Sequence, residues 1–337
     1  MMRLRIVGLL VLVGLTTKLS AQEAQFNQFF ATETLFNPAS VGNGAFANGD
    51  MRRQVNRFGL SYRNQWPSLP IGLNSAAISF DRSINNSFGG FGVYVIHDAF
   101  LYNSFNSTQA TIQYSYYLPL GQDNWRIRMG MEASGVNKNI NINNLRFPDQ
   151  IDDNTGEISA TSEILNARNI NFFDMGVGAL LQGKHCEMGY SVKNIVSPFY
   201  TFIGTETEEI RMSHNASVRY NFRIGNNDNL PTYLSVKALM NQQGAFSRWL
   251  FGGTYQTPQF SFGVFGQRLM KNELKMSGVS FFAGFKVNDL VVGLSQDVSL
   301  GKSRYVSSQS SEISLRLFIN NPKSVDVQFQ PLNKLVF

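Results

Sequence analysis

Apolar and polar side chains alternate along most of this chain, and the stretch Ser107–Leu118 (STQATIQYSYYL) shows the pattern clearly. Because successive side chains of a strand point to opposite faces, the stretch predicts a strand with one apolar and one polar face. The pattern alone leaves open whether the polar face covers a soluble sandwich or lines a membrane barrel. The two faces are Ala110, Ile112, Tyr114 and Tyr116, and Gln109, Thr111, Gln113 and Ser115.

The lengths of strands and connections favour the membrane barrel. Similar alternation recurs in about fourteen segments of roughly ten residues, the length of a tilted strand that crosses a bilayer. Long and short connections are expected to alternate, as in an up-and-down barrel and unlike a Greek-key sandwich. The long ones are Asn64–Asn74, Asp98–Ser107, Lys138–Ile170, Ile195–Glu208, Met240–Phe246, Leu269–Met276 and Leu300–Ser310. The short ones are Arg82–Asn86, Leu118–Asn124, Gly183–Lys184, Ile224–Leu230, Thr257–Gln259 and Asn288–Asp289.

We therefore predict an all-β fold: a closed transmembrane antiparallel up-and-down β-barrel of the outer-membrane type, with about fourteen strands. Since such a chain enters the outer membrane from the periplasm, the long loops are expected outside the cell and both termini in the periplasm. The expected divisions are a signal peptide over 1–21, a periplasmic segment over 22–55 that can tuck into the lumen, the barrel over 56–320 and a periplasmic tail over 321–337.

The amino terminus has the pattern of a secretory signal peptide. Arg3 and Arg5 precede the apolar run Ile6–Leu15, and the small residue Ala21 precedes the expected cleavage point. Removing the segment lowers the formal charge from +6 to +3, which gives no basis for nucleic-acid binding. The single cysteine, Cys186, excludes an intramolecular disulfide.

Residue types that carry catalysis are sparse and badly placed. Neighbours on a strand point to opposite faces, so adjacent histidine pairs cannot act as a triad. The pairs in question are His97-Asp98, His185-Cys186 and Ser213-His214. The acidic stretch Asp149–Glu157 has two interpretations, a site for a hard cation or solvated surface acid, and its spacing favours the second. We expect no enzyme activity, cofactor or metal.

Charged side chains fall on the polar face of the predicted strands and mix both signs. One interpretation is an ion-pair network across a filled lumen, and the other is the lining of a selective pore; the mixed signs favour the first. These residues are Arg63, Asp81, Arg128, Glu132, Arg219, Lys237 and Arg316.

The segment Gln22–Gly42 (QEAQFNQFFATETLFNPASVG) precedes the first predicted strand and contains the turn signal Asn37-Pro38. It resembles the opening of the PorP/SprF family of Bacteroidota outer-membrane proteins, in which Q-x-x-x-F-x-Q-[FY] is followed by L-x-N-P-A and Gly. Further matches follow in order: YRNQW (Tyr62–Trp66), ISFD (Ile78–Asp81), GFGVYVIHD (Gly90–Asp98), FPDQ (Phe147–Gln150), DMGVGALL from Asp174, MGYSVKNI (Met188–Ile195) and SSEISL (Ser310–Leu315).

The chain departs from the family pattern at Leu294-Ser295-Gln296-Asp297, where relatives often read Y-S-Y-D, and at Ser311-Glu312, where they often read His-Glu. Positions that match the family motifs, and are candidates for partner contact, are Asn37, Pro38, Gly42, Arg63, Gln65 and Trp66.

The resemblance implies a role in type IX secretion: export or surface anchoring of a large cargo protein with a C-terminal sorting domain, such as a gliding adhesin. It also implies, as partners, other secretion or motility components and outer-membrane lipid. A solute-conducting porin is the alternative.

Overall fold

The structure is a computed structural model that describes residues 26–43, 55–67, 72–84, 89–101, 103–120, 125–141, 145, 150, 168–202, 208–224, 232–270, 276–300 and 309–320. The predicted signal peptide and the tail over 321–337 lie outside these residues. Among the residues described, no helix has the length and apolar character to cross a membrane.

Fourteen antiparallel strands close into one barrel, which confirms the predicted fold class. Strand β1 pairs with both β2 and β16, so the wall has no open edge. The wall strands are β1 Val55–Gln65, β2 Leu73–Ile84, β3 Gly89–Phe100, β4 Phe105–Leu120, β5 Trp125–Ile140, β6 Asn169–Gln182, β7 Cys186–Lys193, β10 Ser213–Arg223, β11 Tyr233–Gln243, β12 Phe246–Gln256, β13 Phe260–Met270, β14 Gly278–Val287, β15 Leu290–Ser299 and β16 Gln309–Asn320. Two short strands, β8 Phe199–Tyr200 and β9 Glu208–Glu209, form a separate hairpin between β7 and β10.

Two rims bound the barrel. We call the rim where β1 begins and β16 ends the terminus rim, and the opposite one the loop rim. The loop rim carries the connections 66–72, 101–104, 141–168, 194–212, 244–245, 271–277 and 300–308. The terminus rim carries 85–88, 121–124, 183–185, 224–232, 257–259 and 288–289. The longest connections therefore share the loop rim.

Two connections that were predicted to be long are tight turns. Strands β3 and β4 pair up to Phe100 and Phe105, which leaves only 101–104 between them. Strands β11 and β12 pair up to Gln243 and Phe246, and Gly244 turns the chain with a φ of 57°. The strand ends are rich in Asn, Gln and Ser, a composition typical of loops, but their backbones continue the hydrogen-bonded ladder. One terminus-rim connection, 224–232, is longer than the predicted short turn.

The polar and apolar faces of the strands have the predicted orientation. On β4, Ile112 is 59% exposed on the outside of the barrel, whereas Thr111 and Gln113 are each 3% exposed and point inward. The outer wall presents a band of exposed apolar side chains, as lipid requires.

The outer face yields a stability prediction. Replacing Ile112→Arg, halfway along β4, should destabilise the folded barrel by about 2–4 kcal/mol, because the charge lies at the bilayer midplane. Leu120→Arg, on the same face at the end of the strand, should cost only about 0–1 kcal/mol. Urea titration of the barrel folded in lipid vesicles measures both. Equal costs would contradict the assigned membrane face.

Candidate functional site: the plugged lumen

Residues 26–43 lie inside the barrel, and we call them the plug. The plug contains a single turn of α-helix, α1 (Glu33–Phe36), followed by a 3₁₀ turn at Pro38–Ser40. Nearly all of its residues are buried. Such a short helix has little stability of its own, so contacts with the wall must hold the plug in place.

A carboxylate on the last strand anchors the amino end of the plug. Glu312 accepts hydrogen bonds from the backbone N–H groups of Asn27 and Gln28, at 2.7 and 3.0 Å. Arg63 on β1 pairs with the same carboxylate at 3.2 Å and with Asp297 on β15 at 2.7 Å. Arg63 thus offsets two buried acids, and one of them captures two donors of the plug that would otherwise be unsatisfied.

Aromatic side chains of the plug fill the next level of the lumen. Phe30 packs edge-to-face on Phe282 and stacks on Phe265, with ring centroids 4.8 and 5.7 Å apart. Lys237, 1% exposed, places its ammonium 4.0 Å from the centre of the Phe30 ring. Arg316 donates to the carbonyl oxygen of Phe30 at 3.3 Å. Burying these rings supplies the apolar part of the plug's attachment.

Glu33 of the plug is the centre of a charge network. Its carboxylate pairs with Arg219 on β10 at 3.0 Å and with Arg57 on β1 at 3.7 Å. Burial by itself raises the pKa of Glu33, but the charges of Arg219 and Arg57 outweigh it, so the pKa lies below its ordinary value of 4.5. Arg57 also pairs with Asp81 at 2.6 Å, and Asp81 accepts the backbone N–H of Gly42 at 2.7 Å.

The opposite wall holds the middle of the plug through its backbone carbonyls. Gln113 donates to the oxygen of Thr34 at 2.8 Å, and Lys193 donates to that of Leu35 at 2.7 Å. Both side chains also contact Glu132, at 2.7 and 3.1 Å. Glu132 therefore orients the two donors that satisfy the carbonyls of α1.

The Asn37-Pro38 turn is fixed in two ways. The side-chain oxygen of Asn37 accepts the N–H of Ala39 at 2.9 Å, which caps the 3₁₀ turn. Its amide nitrogen donates to the carbonyl oxygens of Ala179 and Tyr190, at 3.0 and 3.4 Å. Pro38 occupies the first position of the turn, where a missing N–H costs nothing.

Arg128, 1% exposed, ties the carboxyl end of the plug to β5. It donates to the carbonyl oxygen of Ala39 at 2.8 Å and also to that of Val41. Ser115 on β4 donates to the same oxygen of Val41 at 2.7 Å. The inward side chains of the wall therefore hold the plug chiefly through the main chain of the plug.

Two wall glycines let the plug approach the sheet. A Cβ at Gly130 would overlap the backbone of Pro38 and Ala39, and one at Gly178 would overlap the side chain of Asn37. No larger residue fits at either position without moving the plug.

Comparison with known proteins identifies a family. The family model described as "Type IX secretion system membrane protein PorP/SprF" matches residues 18–317. The chain belongs to the PorP/SprF family. It is thus an outer-membrane barrel of the type IX secretion system. No curated protein sequence matches it.

Solved outer-membrane barrels are similar to this PorP/SprF chain at low identity. The outer membrane protein Omp33 of Acinetobacter baumannii is 9% identical, with a TM-score of 0.44, covering 80% of this chain and 98% of that one. A FadL homologue of Pseudomonas aeruginosa is 11% identical, with a TM-score of 0.44, covering 84% and 92%.

The family-motif residues separate into two groups. Asn37, Pro38 and Gly42 belong to the plug, and Arg63 anchors it. Gln65 ends β1, and Trp66 follows it at the loop rim with a φ of 58°. The lumen charges Asp81, Arg128, Glu132, Arg219, Lys237 and Arg316 all lie around the plug.

Sequence reasoning missed several members of the site. Six of them are polar side chains at inward positions of wall strands, so alternation placed them on the lumen side without showing that the plug is their partner, and Glu33 lies in the plug itself. The missed members are Glu33, Arg57, Gln113, Ser115, Lys193, Asp297 and Glu312. Two of them, Asp297 and Glu312, are the acidic residues that agree with the PorP/SprF pattern within the two motifs where their neighbours depart from it, and they hold Asn27.

The histidines lie apart from this site. His97 contacts Thr108 at 2.9 Å and His214 contacts Tyr190 at 2.8 Å, both at exposed positions. Within the described ranges, no three His, Cys, Asp or Glu side chains come together as metal ligands. The acidic stretch Asp149–Glu157 lies outside the described residues, apart from Gln150.

The close approach at Gly130 can be tested directly. Gly130→Val should push Pro38 and Ala39 off the wall, destabilising the plugged barrel by about 1–3 kcal/mol and raising ion conductance in planar bilayers. Gly135→Val on the same strand is the control, because its Cβ meets nothing within 4 Å. Equal conductance and thermal stability for the two variants would contradict the packing of the plug.

Glu33 gives the plug a pH-dependent attachment. Because its folded-state pKa is lowered, the ionised carboxylate stabilises the plugged barrel above the unfolded pKa near 4.5. That contribution is lost as the pH falls through the folded-state pKa. Glu33→Gln should therefore cost about 1–3 kcal/mol at pH 7 and progressively less towards pH 3.

The measurement is the temperature at which the folded band of the barrel is lost in detergent gels, at pH 7 and pH 3. Glu209→Gln, at an exposed position of the β8–β9 hairpin, serves as the control and should show no difference. A Glu33→Gln deficit that is the same at both pH values would show that charge is not its cause.

Proposed function

We propose that this barrel is a non-conducting, non-enzymatic docking partner for a cargo protein of type IX secretion. The cargo is a large protein with a C-terminal sorting domain, such as a gliding adhesin, and the barrel serves its export or its anchoring at the cell surface. The observation that carries the proposal is the plug: residues 26–43 contact strands on all sides of the barrel and engage the lumen charges.

A porin needs an open, hydrated route lined by unengaged polar groups. Here Arg63, Arg128, Glu132 and Arg219 all bind the plug or the residues that hold it. The mixed charges are therefore better explained as attachments of the plug than as a selectivity lining. The support for a docking role is that the lumen is occupied, so partners must use the outer surfaces.

The loop rim is the surface that we assign to cargo. It carries the longest connections, 141–168 and 194–212, and outer-membrane barrels place long loops outside the cell and short turns in the periplasm. In this orientation Val55 and Asn320, the two ends of the barrel wall, face the periplasm. Other secretion or motility components would meet that rim.

Among the family-motif residues, we assign partner contact to Gln65 and Trp66, which lie at the loop rim. Asn37, Pro38, Gly42 and Arg63 act instead by holding the plug. Their substitution should affect cargo only through loss of the plugged state.

Replacement of one loop tests the docking role. In the native host, residues 151–167 would be exchanged for a short Gly-Ser linker, and the tagged barrel purified in mild detergent for mass spectrometry. The unaltered barrel should bring a protein with a C-terminal sorting domain in near-equal amount, and the loop variant should lose most of it.

The matched control exchanges residues 225–231 at the terminus rim and should retain the cargo. Cargo retained by the 151–167 variant would exclude that loop as the docking surface. A native barrel that purifies alone and conducts ions in a planar bilayer would instead support the porin.

A further inference from the structure

The amino end of the plug lies towards the loop rim. Asn27 bonds to Glu312 and Asp297 and donates to Ser280 at 3.3 Å. Counted from the loop rim, Glu312 is the fourth residue of β16, Asp297 the third of β15 and Ser280 the third of β14. The contacts with all three strands therefore place Asn27 at the same depth in the lumen, near the loop rim.

The carboxyl end of the plug lies at the opposite rim. The side-chain oxygen of Asn43 accepts from Gln182, the last residue of β6 at the terminus rim, at 3.1 Å. Gly42 lies against Gly90, the second residue of β3 from the same rim. The chain then enters β1 at Val55, again at the terminus rim.

The rest of the plug fills the lumen between Asn27 and the terminus rim. On that side of Asn27, Phe30 packs against Phe265 and Phe282, and Glu33 lies between Arg57 and Arg219. Three or four strand residues, about 10 Å, separate Asn27 from the loop rim. The four residues 22–25 between the expected cleavage point and the plug span up to about 13 Å when extended. They are long enough to reach the loop rim.

We propose that the chain threads the barrel lengthwise, so that the amino end of the mature protein emerges at the loop-rim mouth, across the membrane from Asn320, where β16 ends. This differs from the sequence-based expectation that both termini lie in the periplasm. With the loop rim outside the cell, as the proposed function assumes, the chain before Phe26 leads to the side of the membrane on which we place the cargo.

Cysteine labelling of intact cells tests the threading. In a Cys186→Ser background, single cysteines are introduced as Glu23→Cys before the plug, Ser159→Cys in the loop-rim connection and Ser324→Cys after β16. Each is treated with a membrane-impermeant maleimide before and after the outer membrane is permeabilised. Retention of the heat-sensitive folded band confirms that each variant is folded.

Cys labelling at positions 23 and 159 should match, with at least a several-fold excess over position 324 in intact cells. Labelling at 23 that follows 324 instead would overturn the threading, whichever rim proves to be outside. The comparison depends only on which positions share a side, so it is independent of the cargo role. Loss of cargo with correct labelling would count against the proposed function alone.

Discussion

The ionic contact between Arg63 and Glu312 joins the two things on which this molecule depends, closure of the wall and filling of the lumen. Arg63 and Glu312 are direct partners in the register of β1 and β16, the strands that close the barrel. The same Glu312 carboxylate accepts the N–H groups of Asn27 and Gln28 of the plug, and Arg63 also pairs with Asp297. Inside a lumen of low dielectric constant, leaving either charge without a partner would be costly. The Arg63–Glu312 pair therefore couples the closure of the wall to the attachment of the plug.

The plug contacts strands from β1 to β16 and crosses the lumen between the two rims, so the closed wall surrounds it on all sides. Once the wall is closed, the backbone carbonyls of the plug satisfy inward donors such as Arg128 and Gln113. In a typical porin water would do so. The inward donors of the wall therefore bind a peptide main chain rather than a solute.

The sequence could predict those features that depend on the two-residue period of a strand. Alternation on β4 predicted which of Thr111 and Ile112 points inward, because lipid tolerates only one choice. It could not predict the apolar cluster of Leu239, Leu250, Phe265 and Phe282, because these inward residues break the alternation and are explained only by Phe29 and Phe30 of the plug. Nor could it predict the tight turn at 244–245, since polar strand ends and loops share a composition. The inward charges were assigned to the lumen, but pairing them with Glu33 or Asn27 required the path of the plug.

Backbone hydrogen exchange of the plug tests the central claim most directly. The structure buries the plug amides and pairs those of Asn27, Gln28, Ala39 and Gly42 with side-chain oxygens. In native membrane vesicles analysed by mass spectrometry, peptides covering residues 26–43 should exchange as slowly as peptides from the β4 and β5 wall. Exchange of the plug within seconds, beside a protected wall, would show that the lumen is not filled and would contradict the account.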